Sequence, residues 1–356
     1  MPFIQPLFEG AIDIVGDVHG EIDAFDRLLA RLGYDAEGRH PQGRRLVFLG
    51  DLTDRGPDSP AVLQRVAAMV QAGRAQCIVG NHELNLMRDV PKHGNDWWTQ
   101  PDVETRLPAV PVTPALKAAM MTFLKSLPLA LERADLRVVH ACWNESAIAG
   151  LRALETEGLT VLDAYRRYAG RQDAKWRSPE ARQRLRELAQ TTDLRDRHRR
   201  PPFLPLLAEY DIDYQMGNPV TVVTSGEEQP TDTPFWAGGR WRMVERVKWW
   251  DRYDEPQPVI IGHYWRRYSD TPTVYADKYG PDVFEGIAPH HWMGRRCNVY
   301  CVDFSVGGRS EQRYHGESEQ ICQLAALRVP EWTVVHDDGE SWRIGAPGMG
   351  SDPNPS

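Results

Sequence analysis

No stretch of this 356-residue chain is apolar for long enough to span a bilayer, which takes about 20 consecutive, predominantly apolar residues. A membrane partner is therefore not expected. The first ten residues, MPFIQPLFEG, carry neither a basic run nor a long apolar stretch, so no secretory signal is expected. Cysteine is scarce. The five thiols (Cys77, Cys142, Cys297, Cys301 and Cys322) are odd in number and fall mainly within strand-like runs, as reduced thiols in a cytoplasmic protein would. Cys297 and Cys301 have no second pair nearby, which argues against a structural zinc site. An excess of basic charge is also missing. The formal net charge is −8, which disfavours the broad phosphate neutralisation on which nucleic-acid affinity rests. No internal repeat occurs. Apolar residues make up 41% of the chain, enough for one large α/β domain or one domain with a sizeable insertion.

What is present begins with alternation. AIDIVGD reads as a strand, EIDAFDRLLARL as an amphipathic helix, RRLVFLGD as a strand, SPAVLQRVAAMVQAG as a helix and AQCIVGNHE as a third strand. This β-α-β-α-β run predicts parallel strands with crossover helices. Ser59 and Pro60 suit the start of the second helix. TPALKAAMMTFLKSLP predicts a short helix, and LALERADLRVVHA a hairpin turning near Arg133 to Asp135. Residues 151–200 hold twelve Arg, one Lys and eight acidic residues and read as a charged helical stretch with internal ion pairs. Residues 201–257 are rich in Pro, Gly and Trp and read as irregular. Strand character returns in PVIIGHY, CNVYCVDFSVGG and ICQLAALRVP. The expected organisation is one catalytic domain made of 1–144 and 258–335, an inserted segment over 145–257, and a disordered tail over 345–356.

Five short segments carry the chemistry: GDVHG (16–20), GDLTDRG (50–56), GNHE (80–83), VVHA (138–141) and GHY (262–264). Each follows an apolar run and places Asp, Asn or His where a strand ends. Asp17 and His19 are two apart, so in extended chain both reach one side. The glycines of GDVHG permit a sharp turn and close approach of a phosphate. Asp51 offers a carboxylate able to bridge two cations. Asn81 adds a neutral oxygen, and His140 and His263 add imidazole nitrogens. Any one of these segments alone reads as a turn or a core histidine. Together they read as the ligand set of a two-metal phosphoester hydrolase.

GDVHG…GDLTDRG…GNHE resembles the signature of the phosphoprotein phosphatase family within the calcineurin-like metallophosphoesterases, and HPQGRRLVFLGDLTDRGPDSPAVLQRV resembles its bacterial members in particular. The resemblance covers 11–90, 136–142 and 258–330 and does not extend to 145–257. It implies an α/β fold: a metallophosphoesterase-type β-sandwich flanked by helices, here with a helical and irregular insertion. It implies that Asp17, His19 and Asp51 hold one divalent cation and that Asp51, Asn81, His140 and His263 hold another. The pair is expected to be Mn²⁺, with Fe, Zn or Co compatible with such mixed donors. His82 is implied as general acid, Asp54 as the group that orients and charge-stabilises it, and Arg55 as a phosphate grip. The nucleophile is then a water bridging the two cations that attacks phosphorus directly.

GHYW replaces the GHxH ending of many metallophosphoesterases, leaving the first cation three protein ligands. Family members often place a second phosphate-binding arginine between the last two histidines. Arg240, Arg242, Arg266 and Arg267 are the candidates for that role. The tryptophans Trp97, Trp98, Trp236, Trp241, Trp249, Trp250 and Trp265 read first as packing of the insertion. A wall that stacks an aromatic substrate group, with Trp236 and Trp241 foremost, is the second reading. The expected activity is hydrolysis of phosphomonoesters, on a phosphoprotein or a small phosphorylated molecule. The alternative is symmetrical hydrolysis of dinucleoside tetraphosphates.

Overall fold

The computed structural model describes residues 2–92, 94–100, 109–268, 280–316 and 321–348. The first half alternates β1 (Ile4–Pro6), β2 (Ile12–Val15), α1 (Ile22–Leu32), β3 (Arg45–Phe48), α2 (Ser59–Gln71), β4 (Ala75–Cys77) and α3 (Asn81–Met87). Then come α4 (Asp96–Thr99), α5 (Pro114–Leu124) and the antiparallel pair β5 (Ala130–Arg133) and β6 (Leu136–Val139). Residues 145–257 contain α6 (Glu145–Arg152), α7 (Val161–Trp176), α8 (Pro179–Thr191), α9 (Pro205–Met216), α10 (Pro219–Ser225), β7 (Glu228–Ala237) and β8 (Arg240–Arg246). The chain continues through β9 (Val259–Ile261), β10 (Val299–Cys301), α11 (Arg309–His315), β11 (Ala325–Val329), β12 (Thr333–His336) and β13 (Ser341–Arg343).

The strands form two large sheets, ordered β1-β5-β6-β9-β10 and β13-β12-β11-β2-β3-β4. Strand alternation builds two cores at once. Ile12, Ile14, Val47, Leu136, Val138, Ile260, Tyr300 and Leu327 point into one apolar layer shared by both sheets. Their neighbours Val15, Phe48, Val139, Val259, Ile261 and Cys301 point outward into the layer beneath the helices. Period two thus places one face of each strand between the sheets and the other under a helix. This is the expected sandwich flanked by helices. Amphipathic α1 buries Ala24, Phe25, Leu28, Leu29 and Leu32, and stops at Gly33, where φ is +89°.

Three local differences from the sequence reading have simple causes. Asp58 caps α2, accepting from the Ala61 amide at 2.9 Å, while the Ser59 hydroxyl accepts from the Asp54 amide at 2.9 Å. Residues 201–257 are more regular than expected. Pro205 and Pro219 occupy first helical turns, where proline is tolerated, and FWAGGRW bends as the tip of the β7–β8 hairpin, where Gly238 and Gly239 take positive φ. The six-stranded sheet also runs on beyond residue 335, through β12 to β13. Of the tail expected to be disordered, 349–356 lies outside the described residues. No helix among the described residues is long and apolar enough to cross a membrane.

Candidate metal centre

The site forms where strands end. β2, β3 and β4 are parallel in one sheet, and β6 and β9 are parallel in the other. Their carboxyl ends therefore lie at one edge of each sheet, and the loops leaving them meet. Asp17 and His19 follow β2, Asp51 follows β3, Asn81 and His82 open α3 after β4, His140 follows β6 at once, and His263 follows β9. The nominated ligands are all brought together.

Around Asp51 Oδ2 lie His140 Nε2 at 3.4 Å, His82 Nε2 at 3.9 Å and His19 Nε2 at 4.0 Å. Asp17 Oδ2 is 3.9 Å from His19 Nε2. On the other side, Asn81 Oδ1 is 2.8 Å from His263 Nδ1 and 3.2 Å from His140 Nε2. Backbone carbonyls set the tautomers: His19 Nδ1 donates to Thr53 O at 2.9 Å and His140 Nδ1 to Leu49 O at 2.7 Å. Each ring thereby turns its Nε2 inward, the orientation that metal-ligating histidines use. His19–Asp51–His82 and Asp51–His140–His263 are each close enough to hold one ion. Within the first group, His82 is also committed to Asp54 through Nδ1, at 2.6 Å.

The electrostatics call for positive charge. Asp17, Asp51 and Asp303 are all buried, and buried charges persist only when paired. Burial and then Asp303 push Asp17 well above the usual carboxylate range. Burial opposes ionisation of Asp51 too, but the surrounding histidines, His140 first, hold it well below its usual range. Burial lowers His140, yet Asp51 and Asp17 outweigh it and push the imidazole up to about 10. A donor set of this kind fits divalent cations.

Packing at the site is tight and strained. His19, Asp51, Asp54, Arg55 and His263 all have positive φ, between 45° and 73°. Non-glycine residues there cost of order 1–3 kcal/mol each and concentrate at functional sites. A Cβ on Gly80 would collide with the Asp51 carboxylate, and one on Gly262 with that of Asp17. The glycines of GNH and GH thus make room for carboxylates. Gly16 of GDVHG has a similar role, since a Cβ there would sit 2.5 Å from Val302 O. Close approach of the Val302 backbone requires a glycine here.

Beside the cluster lies a relay. Asp54 Oδ2 holds His82 Nδ1, and Asp54 Oδ1 accepts from Trp97 Nε1 at 2.8 Å. Arg55 Nη1 lies 2.9 Å from His19 Nε2, and its Nη2 lies 3.3 Å from His82 Nε2. Its guanidinium lies 4.5 Å from the Trp265 ring centre.

The substrate-side candidates divide. Arg266 is 1% exposed and donates to Cys301 O, Ala288 O and His291 O, so it braces loops and does not face the cluster. Arg267 lies 3.3 Å from Asp282. Trp236 and Trp241 pair with each other across the hairpin, 5.8 Å between centres, and Trp241 Nε1 donates to Asp196 O. Hairpin alternation turns them away from the cavity wall formed by Phe235, Ala237, Arg240 and Arg242. Neither Trp236 nor Trp241 is among the residues that line this cavity, and their contacts are those of packing, the first of the two readings given for these tryptophans. Arg240 and Arg242 do line that cavity, together with Asn81.

Four residues escaped the sequence reading. Glu83 accepts from the amides of Asp51 at 2.7 Å, Leu52 at 2.8 Å and Gly80 at 3.0 Å, clamping two ligand loops together. Asp303 accepts from the Trp265 and Ser305 amides, both at 2.8 Å. Trp97 steadies Asp54. Arg246 shares the cavity with Asn81, lies 5.4 Å from the Tyr264 ring centre, and after burial is the main cause holding His263 below its usual range. Its place between His140 and His263 was the one available signal.

The profile of the calcineurin-like phosphoesterases matches residues 10–217, and the chain belongs to that family. It is 35% identical over 144 residues to an asymmetrical bis(5'-nucleosyl)-tetraphosphatase of Anoxybacillus flavithermus, covering 36% of this chain and 56% of that one. It is 36% identical over 135 residues to a symmetrical bis(5'-nucleosyl)-tetraphosphatase of an Acidovorax species, covering 37% and 43%. An asymmetrical enzyme of Oceanobacillus iheyensis is 45% identical over 80 residues, covering 22% and 32%. The chain thus spans between about a third and just over half of these relatives' lengths. Among solved structures, a cold-active protein-tyrosine phosphatase of a Shewanella species aligns over 97% of this chain and 83% of its own, with 15% identity and a TM-score of 0.46. That likeness is too low to bear on activity.

Proposed function

We propose that this protein is a metal-dependent phosphoester hydrolase acting on phosphomonoesters, borne by a protein or a small molecule. The observation that carries the reading is the buried convergence of three carboxylates with the inward-facing donors of His19, Asn81, His140 and His263. In this reading Asp17, His19 and Asp51 hold one cation, and Asp51, Asn81, His140 and His263 the other. The pair is taken as Mn²⁺, since mixed nitrogen and oxygen donors suit it along with Fe, Zn and Co. When bound, two such ions supply Lewis-acid polarisation of the phosphoryl group and of water. Arg55 and Arg246 grip phosphoryl oxygens through their planar donors. His82 delivers a proton from Nε2 to the leaving oxygen, while Asp54 holds Nδ1 and Trp97 holds Asp54.

A second reading, hydrolysis of dinucleoside tetraphosphates, is favoured by the names of the three relatives above and by the cationic cavity beside Asn81. Residues 145–257 are taken as a cap that selects substrates, since their hairpin walls that cavity. The setting is taken as reducing and cytoplasmic, a view supported by five free cysteines, four of them buried.

The test is a panel of p-nitrophenyl phosphate, an alkyl phosphate, a phosphopeptide and diadenosine tetraphosphate, with added Mn²⁺ and with chelator. Turnover is expected to vanish on chelation and return with Mn²⁺. His82→Ala should slow the alkyl ester by about 10²–10⁴-fold, the usual worth of general acid catalysis, and the aryl ester far less. Equal losses on both esters would remove the acid role. Turnover that survives complete metal removal would remove the metal-dependent reading itself.

A further inference from the structure

A cavity of about 630 Å³ opens beside Asn81. One face of α3 forms a side of it: Asn81, Leu84, Asn85 and Arg88 follow one another at helical spacing. The β7–β8 hairpin adds Arg240 and Arg242 to the lining, and Lys92 lines it too. At 1.5 Å of rise per residue, Arg88 lies about 10 Å along the helix from the ligand Asn81, farther than a single phosphoryl group reaches.

Five cations, Arg88, Lys92, Arg240, Arg242 and Arg246, line the cavity against three carboxylates, Asp211, Glu228 and Glu245. Arg240 lies 3.6 Å from Asp211. Glu245 is taken up by Thr231 and Gln229. Among the described residues, Arg88, Lys92 and Arg242 have no carboxylate at ion-pair distance, and Asp211 and Glu228 offset the Arg242 charge only from farther off. Arg88 rests over the Tyr165 ring, 4.4 Å from its centre, and Arg242 donates to Ala237 O at 3.0 Å. Loss of hydration, and then Arg88, Arg240 and Arg242, hold the Lys92 ammonium below its usual range. Burial and Arg240 do the same to Arg242. Like charges gathered in a cavity are stabilised by a bound anion.

We propose that this cavity is a second anion subsite, about 10 Å from the metal cluster, that takes the further phosphate groups of a polyphosphorylated substrate. The proposal rests on the hydrolase reading for its place in catalysis but can be tested apart from it. The experiment is calorimetric titration of the full-length, Mn²⁺-loaded protein, with free Mn²⁺ buffered, using inorganic tripolyphosphate and orthophosphate as probes. The unmodified protein is expected to bind tripolyphosphate at least about ten-fold more tightly than orthophosphate, as one added charge-assisted contact would give. In Arg88→Gln and Lys92→Met that preference should fall about ten-fold, with orthophosphate affinity serving as the check on folding and metal loading. Equal affinities for the two probes in the unmodified protein would overturn the proposal, as would an undiminished preference in both variants. If p-nitrophenyl phosphate is not hydrolysed but the tripolyphosphate preference appears and then falls in the variants, the subsite stands and the hydrolase reading fails.

Discussion

Replacing Glu83 by Gln exchanges one carboxylate oxygen for NH₂ at a residue outside the nominated metal ligands, and the structure says what that costs. Glu83 Oε2 accepts from the amides of Asp51 and Gly80, and Oε1 from that of Leu52. A glutamine offers one acceptor oxygen and one NH₂. In either orientation, at least one buried amide then faces another donor. An orphaned buried N–H costs about 1–3 kcal/mol, and above about pH 7, to which burial and Asp51 raise the Glu83 carboxyl, the surviving bonds also lose the charge that roughly doubles their strength. The expected destabilisation is on the order of 3 kcal/mol, combining these two effects. The damage falls on the backbone that carries Asp51, so cation binding should weaken as well. Mn²⁺ that binds only the folded state raises the melting temperature through its affinity. Thermal melts of Glu83→Gln with and without Mn²⁺ should therefore show a lower midpoint in chelator and a smaller Mn²⁺ increment. An unchanged midpoint and an unchanged increment would refute the clamp, and with it the view that the Glu of GNHE serves to hold the two loops.

Arg246→Gln should lower kcat/KM by about ten-fold or more on every phosphoester, aryl phosphates included, because the loss of a charge-assisted grip on the reacting phosphate is independent of the leaving group; a loss limited to polyphosphorylated substrates would place Arg246 in the outer subsite. Trp97→Phe removes one hydrogen bond to Asp54 and should cost alkyl phosphates about ten-fold in kcat with little change in KM, the size of one hydrogen bond to a charged group; an equal loss on p-nitrophenyl phosphate would assign Trp97 to packing alone. His336 is fully buried, neither ring nitrogen has a hydrogen-bond partner among the described residues, and burial lowers it to about 4. The unfolded chain takes up this proton first, near 6.5, so the stability from a neutral His336 is complete above that pH and is lost as pH falls toward 4, by roughly 3 kcal/mol. Melts of the unmodified protein and of His336→Phe, compared at pH 7.5 and 4.5, should show the smaller acid loss in the variant.

Much of the fold and of the candidate site was legible because both follow from local rules. Alternating apolar runs and amphipathic segments specify strands and helices over 11–77, and parallel strands collect their carboxyl ends at one edge; α3, which opens within the segment read as the third strand, was not legible in this way. Asp17, His19, Asp51, Asn81, His140 and His263, each one to four residues beyond a strand, were therefore bound to converge once the strands shared the two sheets. The hairpin of 228–246 was less legible because its tryptophans and glycines fit both loop and strand, and its register alone decides which side chains face the cavity.

The residue order by itself thus determined which atoms could act as donors and that five strand ends would supply them. Tertiary structure decided which other groups surround those donors. Glu83 finds the Asp51 and Leu52 amides only because β3 and β4 lie side by side. Trp97 meets Asp54 across 43 positions. Arg246, rather than Arg266, approaches His263 because one lies on the exposed hairpin and the other is drawn into the core by three carbonyls. Such choices depend on long-range packing, where the burial of one group is settled by the positions of all its neighbours, and no local pattern in the sequence encodes that.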